Sequence, residues 1–279
     1  MSYYKVFGLS EEPFSTSPDP SFFYESAEHR EALLRLEISI KQKRGLHLLL
    51  GEVGAGKTTL GRKLFSLFED KALYDVGMVL DPSVESEADF WNLIADVYGV
   101  KPEVPTLYGY RKALEAYLFQ RGVDENRTVI LLIDEAQKLS PSSIEVLRTL
   151  LNYETNKFKL LQLVLLSQME LLPEIVKIRN FWDRIALKFV INPLNREETR
   201  QLIEHRLRQA GYKAGTGLFT EDAVDKIYSR TDGCPRRIMM LCHDALEALI
   251  VKNRERVTAE LVDAMISDED RVLHVRTAV

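Results

Sequence analysis

The feature that most constrains this chain is a glycine-rich segment, Gly51–Thr58, with the sequence GEVGAGKT. The apolar run His47–Leu50 before it predicts a short strand, and Thr59–Phe65 after it predicts a helix. Glycines let the backbone curl so that consecutive N–H groups face inward, and a helix N-terminus adds positive potential at the same point. The segment therefore predicts a binding site for the phosphates of a nucleotide. The alternative, a glycine-rich loop without a ligand, is disfavoured by the intact spacing and the flanking elements.

Two side chains of this loop carry the expected chemistry. Lys57 would contact the β- and γ-phosphates, and the hydroxyl of Thr58 is placed to bind a magnesium ion. We therefore predict ATP and Mg²⁺ as cofactors. The residues expected to surround the nucleotide are Gly51, Glu52, Val53, Gly54, Ala55, Gly56, Lys57, Thr58 and Thr59.

An acidic pair follows the most apolar strand of the sequence. The run Thr128–Ile133 is rich in β-branched and apolar residues without alternation, which predicts a central strand buried on both faces. The carboxyl end of a parallel strand faces the ligand crevice, so Asp134 is predicted to bind the magnesium ion, directly or through water. Glu135 is the candidate for polarising the attacking water. The alternative is two acidic residues that merely end a strand at the surface.

Charge and hydropathy limit the class of protein. The formal net charge of −5 gives no general reason to bind nucleic acid, although a local basic stripe could still do so. No N-terminal secretory pattern is present, and the apolar runs are far shorter than the about 20 residues that a membrane-spanning helix needs. We predict a cytoplasmic protein without a membrane span.

Strand-like and helix-like runs alternate over the first two thirds of the chain, which predicts an α/β fold with a parallel sheet and helices on both faces. The predicted strands are His47–Leu50, Val76–Leu80, Thr128–Ile133, Leu160–Leu166 and Ile185–Ile191. From Asn195 onward the patterns are helical only. The predicted parts are an N-terminal strap leading into the core at 1–45, a core at 46–194, a helical domain at 195–268 and a loose tail at 269–279.

Motifs spread over nearly the whole chain are similar to one known family. They are Tyr3–Leu9 with Pro13-Phe14, Pro18–Pro20 (PDP), His29–Leu33 (HREAL), Gly51–Thr59, Asp134–Gln137 (DEAQ) and Gly233–Ile238 (GCPRRI). In these motifs the chain resembles AAA+ ATPases of the ExeA/GspA-like group, which also resembles transposition regulator ATPases. The resemblance implies a P-loop NTPase core of AAA+ type, with a five-stranded parallel sheet, and a small all-helical lid.

The resemblance also implies two residues that detect or bind nucleotide outside the loop. The polar residue that ends the fourth strand senses the γ-phosphate in this family, and here that position is Ser167 or Gln168. The run Ser167–Leu171 departs from the usual glycine-glutamine-proline start, so both residues stay candidates. The lid arginine of the family corresponds to Arg236; the alternative is that Arg236 and Arg237 form a solvated basic pair.

The family further requires an arginine from a neighbouring subunit. Negative charge accumulates on the transferred phosphoryl group, and a guanidinium can contact two of its oxygens at once. Arg184, just before the fifth strand, best matches the family position, and Arg179 is the second candidate. The resemblance thus implies a homo-oligomer, either a ring or a helical filament.

Two classes of partner stay open for such an oligomer. One is an unidentified protein client in the assembly of a secretion or pilus system, because secretion members of the family resemble this chain over their ATPase portion. The other is DNA, together with transposition proteins. A third reading, a nucleotide-regulated switch without turnover, is disfavoured by Glu135.

Overall fold

A computed structural model describes residues 3–17, 19–213 and 217–267 of the chain. Pro18 of the PDP motif and the predicted tail 269–279 lie outside the described residues. The chain divides into two compact units. The core unit comprises Ala27–Glu52 and Lys57–Ile191, and the helical unit comprises the described residues of Met1–Ser26, Val53–Gly56 and Asn192–Val279.

The core unit is built on a five-stranded parallel sheet with the strand order β2-β3-β4-β1-β5. The strands are β1 (Leu46–Gly51), β2 (Tyr74–Val79), β3 (Thr128–Ile133), β4 (Leu161–Ser167) and β5 (Ile185–Ile191). Every residue of β1, β3 and β4 is buried, because helices cover both faces of the sheet and leave no solvated side. The predicted five-stranded parallel sheet with flanking helices is confirmed.

Seven helices belong to the core unit: α1 (Ala27–Lys41), α2 (Lys57–Glu69), α3 (Glu87–Val97), α4 (Leu107–Phe119), α5 (Pro141–Leu150), α6 (Leu171–Lys177) and α7 (Arg179–Trp182). Three of them begin at a hydroxyl residue, Ser86, Thr106 or Ser140, whose oxygen accepts a hydrogen bond from the backbone N–H three residues later. These caps define where α3, α4 and α5 start. The side chains of Trp91 and Phe90, both in α3, are among the largest that are fully buried, and they pack in the hydrophobic core of this unit.

One polar side chain lies inside the central strand β1. His47 is fully buried; its Nδ1 donates to the carbonyl oxygen of Leu163 (3.1 Å), and its Nε2 accepts from the hydroxyl of Ser39 (2.9 Å). Burial lowers the pKa of His47 to about 4, against a smaller opposing effect of the Leu163 carbonyl. The ring is therefore neutral at neutral pH and joins α1 to the sheet.

The helical unit contains α8 (Arg196–Gln209), α9 (Glu221–Thr231), α10 (Pro235–Val251) and helical residues 259–267. Asn195 begins α8 with a reciprocal capping box in which Glu198 is the partner. Leucine, isoleucine and valine side chains from all of these helices form one core. Among the described residues, no helix combines the length and the hydropathy that crossing a bilayer requires.

The N-terminal segment packs within this helical unit. Arg206 of α8 is 5% exposed and donates hydrogen bonds to the carbonyl oxygens of Pro13 (2.6 Å), Ser15 (2.5 Å) and Phe22 (3.2 Å). Burial lowers the pKa of Arg206 to about 10, and these three acceptors offset part of that cost. In place of one strap over residues 1–45, the structure therefore has residues up to Ser26 in the helical unit and α1 in the core unit.

Candidate nucleotide-hydrolysis site

The glycine-rich loop joins the carboxyl end of β1 to the start of α2. The predicted strand and helix flank the loop, but β1 ends at Gly51, one residue later than predicted, and α2 begins at Lys57, two residues earlier. Gly54 (φ +81°) and Gly56 (φ +90°) lie in the left-handed region that residues with a Cβ rarely adopt. The first N–H groups of α2 have no partner within the helix, so they and its dipole can receive an anion at this end.

Lys57 is held in the loop with its charge buried. Its side chain is 7% exposed, and Nζ donates to the carbonyl oxygens of Gly51 (2.8 Å) and Glu52 (2.9 Å). Both acceptors are neutral, and a buried ammonium is stabilised further by a nearby anion. The loop geometry thus fits a phosphate group, with Lys57 as the cation that would contact it.

Asp134 follows β3, which is the neighbour of β4 on the side away from β1. Asp134 is 3% exposed; its backbone N–H donates to the carbonyl oxygen of Val79 (2.8 Å), and Oδ1 accepts from the backbone N–H of Glu135 (2.9 Å). Within the described part of the chain, no three His, Cys, Asp or Glu side chains form a metal cluster. A magnesium ion at Asp134 could take its other ligands from Thr58, the nucleotide and water, which suits an ion that retains several waters.

Strand register explains why the polar residues after β3 and β4 meet. Leu50 pairs with Ser167 across β1 and β4, and Ile133 pairs with Leu165 across β3 and β4. Ser167 consequently lies beside the strand that leads into the glycine-rich loop, and one strand from the acidic pair. Both candidate sensors, Ser167 and Gln168, thus lie at the same edge of the sheet as Asp134 and Glu135.

Glu135 has a left-handed backbone (φ 50°, ψ 37°), which is uncommon for a residue with a Cβ. Its Oε2 accepts from Nε2 of Gln137 (2.5 Å) and from Nε2 of Gln168 (3.4 Å). The Oε1 of Gln137 accepts in turn from the backbone N–H of Gln168 (3.2 Å). The Oγ of Ser167, which has one hydrogen to donate, lies 3.3 Å from this Oε1 and 3.1 Å from the carbonyl oxygen of Gln168. A glutamine that sequence reasoning quoted only as part of the DEAQ motif therefore joins the catalytic candidate to both sensor candidates.

Arg184 lies at the amino-terminal ends of the strands, opposite the end that carries the glycine-rich loop. It precedes Ile185, which pairs with Leu46 at the start of β1, and Nη1 donates to Oδ1 of Asn152 (2.5 Å). β1 is six residues long, so its first and last residues are about 17 Å apart at about 3.3 Å per residue. Arg184 is therefore not brought together with Glu135 of its own chain. Arg179, the second candidate, is exposed at the start of α7.

Arg236 is exposed in the first turn of α10, in the helical unit that also contains loop residues Val53–Gly56. A Cβ added to Gly54 would lie 2.5 Å from Cβ of Arg236, so the backbone of the loop approaches this helix closely. The thiol of Cys234 donates to the carbonyl oxygen of Val53 (3.4 Å). Arg237 instead pairs with Asp232 at 3.8 Å.

Comparison with known protein sequences agrees with this geometry. A family model described as an AAA domain matches residues 40–176. General secretion pathway protein A of Aeromonas hydrophila is 33% identical over 258 residues, which cover 91% of this chain and 46% of that protein. An uncharacterised HTH-type transcriptional regulator of Methanocaldococcus jannaschii is 24% identical over 71% of this chain and 50% of its own length. The chain thus spans about half the length of the curated relatives it matches.

Solved structures resemble the fold. Cdc6p of Pyrobaculum aerophilum has a TM-score of 0.68 at 17% identity and covers 89% of this chain and 68% of its own. The ORC2 protein of Aeropyrum pernix has a TM-score of 0.66 at 18% identity, covering 94% and 72% respectively. At these identities the likeness concerns the fold alone. The relative from Aeromonas hydrophila and the match to the AAA domain model show that the chain belongs to the AAA+ ATPases, in the group of general secretion pathway protein A.

Proposed function

We propose that this protein binds ATP with Mg²⁺ and hydrolyses it. One observation carries the proposal: the glycine-rich loop, Asp134–Glu135 and Ser167–Gln168 follow three adjacent strands, β1, β3 and β4, at one edge of the sheet. Phosphoryl transfer depends on positioning and charge stabilisation more than on covalent chemistry, and these groups supply both.

Each side chain has a distinct role in this proposal. Lys57 contacts the phosphates, Thr58 and Asp134 hold the magnesium ion, and Glu135 orients the water that attacks the γ-phosphorus. Ser167 or Gln168 donates a hydrogen bond to a γ-phosphate oxygen. The bound metal supplies charge neutralisation of the phosphate oxygens. On the helical unit, Arg236 would contribute a further guanidinium to the nucleotide.

We further propose that hydrolysis needs an oligomer. Arg184 precedes β5 and the acidic pair follows β3, which lies three strands away at about 4.8 Å each and about five residues further along at about 3.3 Å each. The two backbones are therefore about 20 Å apart, which is beyond the reach of an arginine side chain. Arg184 precedes β5, the outermost strand on one side of the sheet, and this position is compatible with contact to a neighbouring subunit. A ring or a helical filament would bring the arginine of one subunit to the nucleotide of the next.

The client we favour is a protein of a secretion or surface-structure system, reached from the cytoplasm. Support comes from the 33% identity to general secretion pathway protein A of Aeromonas hydrophila. The two cysteines, Cys234 and Cys242, are both unpaired, which agrees with a reducing compartment. ATP-dependent assembly of a ring or filament would then organise this client.

DNA is the second candidate client, and one surface of the helical unit favours it. Four cations, Arg200, Arg208, Lys213 and Arg256, and two carboxylates, Glu204 and Glu221, line a cavity of about 570 Å³. Among the described residues, no ion pair with a carboxylate involves Arg208, Lys213 or Arg256. Unpaired cations on one surface provide an electrostatic footprint for phosphates. This reading predicts binding that weakens steeply as salt increases.

Phosphate release with and without Mg²⁺ tests the enzymatic proposal. Glu135→Gln should retain ATP but slow turnover by orders of magnitude, whereas Lys57→Ala should lose ATP binding. Normal turnover in Glu135→Gln would remove Glu135 from its role, and absence of Mg²⁺-dependent turnover in the parent would overturn the proposal.

Binding of duplex DNA over a salt series, with and without a non-hydrolysable ATP analogue, distinguishes a DNA client from a protein client. An ATP-dependent shift that Arg256→Ala abolishes favours DNA, and no binding at low salt favours a protein.

A further inference from the structure

We infer that Gln137 is a positioning residue that ties Glu135 to the end of β4, so that the state of the sensor residues determines where the Glu135 carboxylate points. The inference rests on the proposed hydrolysis of ATP and assigns a role within that same site. Gln137 itself would not contact the reacting atoms. It would act through Glu135.

The hydrogen bonds around Gln137 fix the direction of its amide. The backbone N–H of Gln168 can only donate, and it lies 3.2 Å from Oε1 of Gln137; the hydroxyl of Ser167 lies 3.3 Å from the same oxygen. Nε2 must then face Oε2 of Glu135, which as a carboxylate oxygen can only accept. Only a side chain with an acceptor and a donor on one planar group can make both connections.

The local backbone brings this amide back over the acidic pair. Glu135 has left-handed backbone angles, and the single 3₁₀ turn Ala136–Lys138 follows at once. Ala136 is fully buried, so the turn is anchored, and Gln137 is directed toward the end of β4. A left-handed non-glycine residue costs about 1–2 kcal/mol, and such strain persists where the surrounding contacts hold it, commonly at functional sites.

The consequence concerns the carboxylate that orients water. With Gln137 present, Glu135 is restrained by two amide donors, Gln137 and Gln168. Without Gln137, its side chain can adopt other rotamers, and a misplacement of about 1 Å at a reacting group costs about 100-fold in rate. We therefore expect kcat to fall about 10–100-fold while KM for ATP changes less than about twofold.

Two variants of Gln137, one control variant and a double mutant test this inference. Gln137→Ala removes both connections. Gln137→Glu is nearly isosteric, loses the donor to Glu135 and places a second negative charge beside it, so it should be at least as slow. Gln120→Ala, an exposed glutamine of the same unit, should be unchanged. Calorimetry with a non-hydrolysable ATP analogue should give parental affinity for all three.

The decisive measurement is a single-turnover rate in the Glu135→Gln background. If Gln137 acts through Glu135, adding Gln137→Ala there should slow the reaction less than about twofold, because the group it positions is already gone. An equal loss in both backgrounds, or a Gln137→Ala kcat within twofold of the parent or above it, would overturn the inference. Turnover by the parent and its loss in Glu135→Gln, measured alongside, test the proposed hydrolysis separately.

Discussion

Arg184 should act on the nucleotide of a neighbouring subunit, and mixing two inactive variants tests this directly. Arg184→Ala should bind ATP nearly as well as the parent, since Arg184 precedes β5 at the end of the sheet opposite the loop of its own chain, and its guanidinium donates to Asn152. It should hydrolyse ATP about 10³-fold more slowly, the usual contribution of a catalytic arginine in trans. Lys57→Ala should be inactive for a different reason, because its own loop no longer binds the phosphates.

The size of the rescue follows from the geometry of the interface. An active site in a mixed assembly needs an intact loop, from an Arg184→Ala subunit, beside an intact Arg184, from a Lys57→Ala subunit. If subunits assemble at random, the active fraction is the product of the two mole fractions, which reaches a maximum of about a quarter of parental activity in an equal mixture. Activity should follow a symmetric curve that falls to nearly zero at both ends.

The assay is phosphate release across mixing ratios, at concentrations where light scattering shows co-assembly. Arg148→Ala, which alters a partly exposed arginine paired with Glu145, serves as the control and should not require rescue. A flat, inactive profile despite confirmed mixed assemblies would refute the reasoning, because it means that Arg184 serves its own subunit or none. The same series with Arg179→Ala would then test the second candidate.

Three further predictions concern the described packing. Arg206→Ala should destabilise the protein by about 3–5 kcal/mol in urea denaturation, because it leaves the buried carbonyl acceptors of Pro13 and Phe22 and the half-buried one of Ser15 without this donor, whereas the neighbouring Arg208→Ala should change it by less than about 0.5 kcal/mol. Gly54→Ala should lower ATP affinity at least about tenfold in calorimetry, since a methyl group would lie 2.5 Å from Cβ of Arg236; Gly99→Ala shares the positive φ without a close neighbour and should leave affinity intact. Stability should fall by about 3 kcal/mol as pH drops from about 6.5 to 4, because only the unfolded state protonates His47 in that range; His47→Gln should remove this part of the pH dependence, and an unchanged slope would contradict it.

The sequence could predict those elements whose residue types are restricted locally, by burial, by a helix cap or by a positive φ angle. β3 has no alternation because helices cover both of its faces, and this burial is what its apolar run indicates. Ser140 followed by Pro141 is a sequence signal for a helix start, and the Ser140 hydroxyl accepts the capping hydrogen bond at the start of α5. The glycine-rich loop was predictable for a similar reason, since its two positive φ angles restrict the residue type locally.

The role of Gln137 could not be predicted in this way. Its contacts depend on the left-handed backbone of Glu135, a conformation that the residue type glutamate does not predict. They also depend on Ser167 of β4, which is 30 positions later in the sequence. Arg206 is a similar case, because its three acceptors are backbone carbonyls of the N-terminal segment and carry no side-chain signature. Nothing in the sequence around α8 distinguishes this buried arginine from the exposed ones beside it.

The attachment of the N-terminal segment to α8 has a consequence for biosynthesis. Arg206 and its acceptor Pro13 are 193 positions apart, so a ribosome adding about 5–20 residues per second needs about 10–40 s to connect them. During that interval Leu9, Phe14 and Phe22, which are buried in the finished protein, have no partner helix to cover them. These apolar residues are thus made well before the helix that covers them, and nascent chains should display an apolar segment that chaperones can bind until α8 has emerged.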